Sequence, residues 1–343
     1  MRGPTNLPNL AVVLASLILS ACMTMTTDTE ALPWQPGDAW VSPHAQDHPL
    51  NGRIWDTANQ IYVTPESLVK SLSDTPFILL GEKHDNADHH RIQAWLVGQV
   101  INKGRRMGLA FEMFGSDKSG VLREFHQSGS KNTAEISTLT DWQKSGWPDW
   151  SMYQPIAESA VAADLPVLAA NLTRAQAMAM AREGKSVLDA KTRKRLRLND
   201  PLPDSVTVAR TDDLIKNHCN MLPAHMVEPM LKTQTAKDAV MADAMISAEA
   251  EGDLEGAILI AGAGHARTDW GVPWHLHRRS PEKSVISLGI IEVNPDLATV
   301  SEYKAFWDTP APPFDYLWFT PRADDGDPCD KYAEQLKKIG KHN

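Results

Sequence analysis

The sequence predicts an α/β fold with a mostly parallel sheet flanked by helices, and three observations lead to it. The first observation is that short apolar runs, each bounded by Gly, Asn or Asp, recur along the chain. The second is that stretches with helical periodicity separate these runs. Continuous apolar strands of this kind are typical of parallel sheets that helices cover on both faces. The third observation is a purely helical stretch at about residues 172–250, which predicts a helical insertion.

Five apolar runs are the predicted strands, and they lie at Phe77–Leu80, Gly108–Phe111, Pro166–Ala170, Ala257–Ile260 and Val285–Ile291. Between the first two runs, apolar residues mark one face of a helix at Ile92, Trp95, Leu96 and Val100. The insertion contains three predicted helices, over Ala175–Arg182, Ser186–Arg197 and Met226–Ala250. An insertion between two core strands can act as a lid over the site.

The start of the chain predicts export and lipid attachment. Arg2 precedes an apolar run at residues 11–18, which is shorter than the ~20 residues of a membrane-spanning helix. The run continues into Leu-Ser-Ala-Cys, which resembles a bacterial lipobox. In such a sequence the cysteine, here Cys22, is acylated with fatty acids such as palmitate. Met23, rather than Asp, follows this cysteine and favours an outer-membrane lipoprotein facing the periplasm. A plain secretory signal is the alternative.

These features divide the chain into four predicted parts. Residues 1–22 are the signal, 23–50 form a Thr-, Pro- and Asp-rich tether, 51–330 form the α/β domain and 331–343 form a C-terminal tail. With Cys22 acylated, Cys219 and Cys329 remain, and an even pair in an oxidising compartment predicts a disulfide. Two free thiols are the alternative.

The charge of the chain argues against a nucleic-acid partner. Its 34 basic and 43 acidic side chains give a net charge of −9, and no long basic tract occurs. The Gly262–Arg267 segment lacks the third glycine of a dinucleotide fingerprint and comes late in the chain. The sequence also contains no Walker loop, HExxH or Gly-x-Ser-x-Gly motif.

Polar side chains follow three of the predicted strands. Glu82 and His84 follow the first strand, Glu112 the second, and His265 and Arg267 a later one. Because the carboxyl ends of parallel strands meet at one edge of a sheet, we expect these groups to converge on one cleft. Two carboxylates and two imidazoles can hold a divalent metal, transfer protons or bind a polar ligand.

Several segments together resemble the ChaN-like haem-binding lipoproteins across about residues 70–295. These segments are GEKHDN at residues 81–86 with the following His89, His90 and Gln93, FEMF at 111–114, WPDWSMYQP at 147–155, AAN at 169–171, His218-Cys219, Gln234 with Lys237-Asp238, and GAGHAR at 262–267 with GVP at 271–273. The two Gly-x-x-His motifs with Glu112 also resemble the wider superfamily of TraB, Tiki and erythromycin esterase proteins.

The resemblance implies a twisted parallel sheet with a helical subdomain and the ability to bind haem. The resemblance further implies a tyrosine as the axial ligand and haem held at a dimer contact, and a phenolate suits ferric iron. Tyr153 is the candidate ligand because it lies within a matching segment, and a buried structural tyrosine is the alternative. His84, His265, Arg267 and Arg91 are further candidate haem-binding residues.

Two functions from different classes follow. The first, which we prefer, is an outer-membrane lipoprotein that binds haem in haem or iron acquisition or storage. Its expected partners are a second copy of the chain, in a homodimer formed on haem binding, and an outer-membrane haem receptor. The second is a metal-dependent hydrolase in which His84 and His265 hold a divalent ion with Glu82 or Glu112, while the remaining carboxylate activates water. A polar cluster kept only as a structural relic is a third hypothesis.

Overall fold

The computed structural model describes Met1 and residues 34–200, 202–250, 253–303, 307, 309–327, 329–330 and 333–334. The predicted signal with Cys22, residues 23–33 of the tether and most of the C-terminal tail lie outside the described residues. Among the described helices, none is long and apolar enough to cross a membrane.

One eight-stranded sheet forms the centre of the domain. Its strands are β1 (Ile54–Asp56), β2 (Ile61–Val63), β3 (Phe77–Glu82), β4 (Met107–Gly115), β5 (Val167–Asn171), β6 (Gly256–Gly262), β7 (Val285–Glu292) and β8 (Tyr316–Thr320). Their order is β2-β1-β8-β7-β3-β6-β4-β5. The strands from β8 to β5 run parallel, and the short β1 and β2 add antiparallel. The α/β class and all five predicted strands, β3 to β7, are confirmed.

Eleven α-helices occur among the described residues. They are α1 (Pro65–Ser73), α2 (Ala87–Asn102), α3 (Ser119–Ser128), α4 (Ala134–Leu139), α5 (Trp150–Ala162), α6 (Arg174–Glu183), α7 (Ala190–Arg195), α8 (Asp204–Asn217), α9 (Ala224–Ala250), α10 (Ala263–Ala266) and α11 (Val272–Arg279). The side chain of Asp189 caps α7 by accepting from the N–H of Thr192, so this helix begins later than the predicted Ser186.

The sheet buries both of its faces, as the apolar strands predict. In β3, Ile78 and Leu80 join one core with residues of α1, α2 and α5. Phe77 and Leu79 point to the opposite core, which residues of α9 and α11 complete. This alternation follows from the two-residue repeat of a strand, so every second residue of β3 faces the same helical layer.

The helical insertion has two roles. Within residues 172–250 the structure describes four helices, α6 to α9, and no strand. Residues of α6 and α9 and of the segments that flank α7 form a small core of their own, which includes Met180, Leu188 and Leu196. The second half of α9 instead packs on the sheet through Met241 and Met245, so the insertion also covers one face of the main domain.

Residues 34–50, the described part of the predicted tether, pack on the domain. Trp34 and Trp40 lie against the core, and Leu50 is buried. The N–H groups of Val41 and Ser42 donate to the carboxylate of the buried Asp88, at 3.1 and 2.8 Å. This segment is therefore fixed to α2 by apolar and polar contacts.

A disulfide joins Cys219 to Cys329, as the cysteine count predicts. Cys219 lies between α8 and α9, and its partner lies 110 residues further along the chain. The bond therefore ties the helical insertion to the C-terminal segment.

Candidate functional site

Three adjacent strands carry polar side chains at their carboxyl ends, where the sequence predicts them to meet. β3, β6 and β4 are neighbours in the sheet and run parallel. Their ends and the helices beside them form one continuous set of contacts, which we call the polar cluster. Its members are Glu82, His84, His90, Glu112, Asp238 and His265. The cluster is almost entirely buried, and His84 keeps the largest exposed fraction, 32% of its side chain.

Glu82 is the first centre of the polar cluster. Nδ1 of His84 donates to its Oε1 at 2.8 Å, and the hydroxyl of Tyr153 donates to the same oxygen at 3.0 Å. Nδ1 of His90 lies 3.1 Å from the other oxygen, Oε2. Nε2 of His90 donates to the carbonyl oxygen of His84 at 3.0 Å, whereas its Nδ1 contacts Glu82 as an ion pair without hydrogen-bond geometry. Glu82 thus holds two imidazoles and a phenol in place.

Glu112 is the second centre. Its Oε1 lies 3.2 Å from Nε2 of His265, and its Oε2 accepts from the N–H of Gly262 at 2.8 Å. Nε2 of His84 is 3.8 Å from this second oxygen and so connects the two centres. A Cβ at Gly262 would lie 2.8 Å from that same imidazole nitrogen, so the close approach of β6 to His84 requires glycine.

A third carboxylate extends the cluster into the helical insertion. Asp238 of α9 contacts Nδ1 of His265 at 2.5 Å, and its other oxygen accepts from the guanidinium of Arg210 in α8. His265 therefore has a carboxylate at each ring nitrogen, which is the arrangement of a doubly protonated imidazole. The insertion thus completes the polar cluster by supplying the Asp238–Arg210 pair.

Mutual contacts fix the charges of the cluster. Burial lowers the pKa of His265, but the carboxylates of Glu112 and Asp238 outweigh it and raise the pKa to about 10. Burial raises the pKa of Glu82, while the neighbouring His90 and His84 overcome that effect and lower the pKa to about 2. The carboxylates thus stay ionised beside cationic imidazoles, as buried charges require.

The divalent-metal hypothesis is not supported by this arrangement. Among the described residues, no group of three or more His, Cys, Asp or Glu side chains is placed to hold a metal ion. The nitrogens of His265 and Nδ1 of His84 point at carboxylates instead of sharing an open centre with them. His84, His265, Glu82 and Glu112 do meet, as predicted, but they meet as hydrogen-bonded ion pairs.

Tyr153 does not fit the predicted role of haem ligand. Its side chain is fully buried, and its hydroxyl already donates to Glu82. Burial and the adjacent carboxylate of Glu82 raise the pKa of the phenol above its usual range, which disfavours the phenolate that would bind ferric iron. Tyr153 therefore packs α5 against the cluster.

The two predicted arginines are also engaged elsewhere. Arg267 is buried, forms ion pairs with Asp213 at 3.1 Å and Asp269 at 2.7 Å, and stacks on the ring of Trp270. Arg91 lies 3.5 Å from Asp88 and donates to the carbonyl oxygen of Ala39, outside the cluster. Neither guanidinium faces the polar cluster.

A cavity of about 190 Å³ adjoins His265, between the end of β6 and the helices α8 and α9. Gln234, Arg210 and Trp270 line it. Oε1 of Gln234 is buried and has no hydrogen-bond partner. The volume is below the roughly 300–1,000 Å³ of pockets for drug-sized ligands. The cluster can thus present a cationic imidazole to a small polar molecule, but this space does not fit a porphyrin.

Three members of this arrangement were not among the predicted site residues: His90, Asp238 and Arg210. Asp238 lies next to Ala239 and near Met241 on the buried face of α9. Asp238 belongs to the Lys237-Asp238 segment that resembles the family, and a lone aspartate on such an apolar face is also a signal for a buried ion pair. Arg210 lies in α8, a helix that the sequence did not predict, and no local pattern distinguishes His90 from the adjacent His89.

Comparison with known proteins extends these observations. Residues 68–276 match the family described as haem-binding uptake, Tiki superfamily, ChaN. A solved structure described as cofacial heme binding to ChaN of Campylobacter jejuni is similar with a TM-score of 0.60 and 20% identity, covering 77% of this chain and 95% of that one. This likeness shows a shared fold.

A mutant of the erythromycin esterase EreC in its open conformation gives a TM-score of 0.47 at 12% identity, covering 81% of this chain and 99% of that one. No curated protein sequence matches significantly. The family match spans more than half of the chain and contains every member of the polar cluster. The chain therefore belongs to the ChaN family of haem-binding uptake proteins in the Tiki superfamily.

Proposed function

We propose that this protein is a haem-binding lipoprotein of the outer membrane that takes part in haem or iron acquisition or storage. The family match over residues 68–276 carries the proposal, because the description of the family names haem binding and uptake. The lipobox-like sequence that ends at Cys22 supports the membrane anchor. In this proposal the protein binds and transfers haem without altering it chemically.

The polar cluster is not the haem site in this proposal. Its cavity is small, its tyrosine is buried, and its imidazoles are held by carboxylates. We assign it the task of joining the helical insertion to the sheet, since Asp238 comes from α9 while Glu82 and Glu112 come from β3 and β4. Haem then binds to another part of the surface, and formation of a homodimer can accompany its binding.

A titration of the purified full-length chain with hemin tests the proposal. We expect a saturable shift of the haem absorption maximum at one haem per chain. The same titration without protein is the control for hemin that enters detergent micelles. An unchanged absorbance spectrum in the presence of the protein would refute haem binding.

Cell fractionation tests the anchor separately. We expect to recover the wild type from the outer membrane. The Cys22→Ala variant should be soluble or keep its signal segment uncleaved, because the thiol that is acylated is lost. We expect Met23→Asp in the inner membrane, since Asp after the cysteine directs such lipoproteins there. Unchanged outer-membrane recovery of Cys22→Ala would show that the anchor is not this cysteine.

A further inference from the structure

β5 is an edge strand of the sheet, and the outer side of its backbone has no hydrogen-bond partner among the described residues. β5 pairs in parallel with β4, and the N–H of Leu109 donates to the carbonyl oxygen of Pro166 at 2.9 Å. In this register Leu168 directs its N–H and C=O groups toward β4. Its neighbours Val167 and Ala169 therefore direct theirs away from the sheet, and each presents one donor and one acceptor at the edge.

A cavity of about 560 Å³ lies along this edge, between α3 and α9. We call it the β5 groove, and residues 166–169 are its floor. Its volume lies within the roughly 300–1,000 Å³ typical of ligand sites. Proteins usually shorten, charge or cover an edge strand, because its backbone is a template for another strand. Here a helix stands on each side of β5, and the space between the two helices is open.

The two walls of the β5 groove differ in chemistry. The wall from α3 is polar and includes Ser119, Arg123, His126 and Gln127. The wall from α9 consists of small residues and is mostly apolar, with Ala244, Ser247 and Ala248. Successive side chains of an extended segment point to opposite faces, so a strand beside β5 directs one set toward α3 and the other toward α9. The groove therefore fits a segment in which polar and apolar residues alternate.

The charge of the α3 wall selects the polar residues. Arg123 is exposed and forms no ion pair with any described residue. Nη2 of Arg106, at the rim of the groove, lies 3.3 Å from a carboxylate oxygen of Asp253, so these two charges compensate each other. The remaining charge of the groove is thus the guanidinium of Arg123, whose planar fork binds carboxylates in a bidentate geometry.

We propose that the β5 groove binds an extended acidic segment of another protein, which extends the eight-stranded sheet by one strand. The backbone of the segment pairs with Val167 and Ala169, its carboxylates contact Arg123, and the apolar side chains between them pack on α9. In this mode of recognition the backbone bonds provide affinity and the alternate side chains provide specificity. The site is separate from the polar cluster and independent of the proposed haem binding.

A peptide titration tests the predicted partner chemistry. The probe is a short, fluorescently labelled peptide of alternating valine and glutamate, and the full-length protein is added while fluorescence anisotropy is measured. We expect saturable binding. A peptide with lysine in place of glutamate should bind about 5–30-fold more weakly, because a repulsion at exposed positions replaces an attraction. Equal affinities of the two peptides, or no saturable binding of the glutamate peptide, would overturn the proposal.

Methylation of the peptide backbone tests strand addition without any change in the protein. One peptide carries N-methyl groups on all valines and a second on all glutamates. The N–H groups of alternate residues point to opposite sides of a strand, so only one of the two sets pairs with β5. One methylated peptide should therefore lose about tenfold or more in affinity, while the other binds like the unmodified probe. The same affinity for all three peptides would contradict strand addition.

Variants of the groove complete the test. Arg123→Glu should reverse the preference between the glutamate and lysine peptides. Arg174→Glu, at an exposed arginine of α6 outside the groove, should not. Ala169→Pro removes an outward N–H at an edge where proline is tolerated and should weaken binding, whereas Ala169→Ser keeps the N–H and should not. Circular dichroism checks that each variant is folded. An unchanged preference of a folded Arg123→Glu variant would show that the peptide binds elsewhere.

Discussion

The polar cluster and the cavity of about 560 Å³ over β5, between α3 and α9, differ in how their side chains are partnered. In the cluster, the carboxylates of Glu82 and Glu112 face imidazoles, and His265 lies between two carboxylates. At this cavity, His126 has no hydrogen-bond partner and Arg123 no ion pair among the described residues. Buried charges that form ion pairs with one another stabilise one arrangement of the chain, whereas unpartnered side chains beside an open cavity remain accessible. The region with the most titratable side chains is therefore not by that fact alone the site that binds a ligand.

The largest expected effect on stability comes from the centre of the polar cluster. Glu112→Gln should lower the free energy of unfolding by about 3–5 kcal/mol, because it leaves the cationic His265 with one carboxylate fewer in a buried site. Urea unfolding followed by circular dichroism measures the change. Glu124→Gln removes an exposed glutamate of α3 and is the matched control. Equal stability of the two variants would contradict the structural role of the cluster.

The disulfide should contribute the next largest effect. Replacement of both Cys219 and Cys329 by serine should reduce stability by about 2–5 kcal/mol, since the bond closes a long loop. Thermal unfolding with and without a reducing agent tests this, because only the wild type should respond to reduction. A double-serine variant that responds equally would show that the reductant acts elsewhere.

Tyr153→Phe distinguishes the effect of the polar cluster on stability from its effect on haem binding. The variant should lose about 1.5–3 kcal/mol of stability, the contribution of a hydrogen bond to a charged group, and keep the haem spectrum of wild type. Tyr62→Phe, at an exposed tyrosine of β2, should change neither property. If Tyr153→Phe alone shifts the haem absorption maximum, the buried phenol takes part in binding after all.

The pH dependence of stability should follow His265. Its pKa is about 10 in the folded chain against about 6.5 when unfolded, so the stabilisation is complete below pH 6.5 and is lost as the pH rises through 10. The slope of unfolding free energy should reach at most about 1.4 kcal/mol per pH unit for this one group. His265→Gln should flatten the curve between pH 7 and 10. An unchanged curve would show that Glu112 and Asp238 do not hold the imidazole charged.

The sequence predicted most parts of the fold that carry a strong local pattern, although β8 (Tyr316–Thr320), which is also an apolar run, was not predicted. The five buried strands are continuous apolar runs, so their positions followed directly. β1 and β2 lie at the antiparallel edge of the sheet and have only three residues each. Such strands are too short to show a hydrophobic periodicity in the sequence. α8 escaped prediction because charged residues such as Asp212, Asp213 and Lys216 interrupt its apolar positions.

The sequence predicted part of the candidate site for a similar reason. Strand-end residues such as Glu82, Glu112 and His265 converge because parallel strands end together. Partners from distant helices, Arg210 and Asp238, depend on how the insertion packs, which no local spacing encodes. The burial of Tyr153 is likewise a property of the packed core.

The location of iron in crystals of the haem-loaded protein tests the central claim most directly. Anomalous scattering at the iron absorption edge identifies the metal without reference to spectra or variants. We predict that the iron peak lies outside the polar cluster. A peak beside Tyr153, His84 or His265 instead would show that haem occupies the polar cluster and would contradict the assignment of haem to another part of the surface.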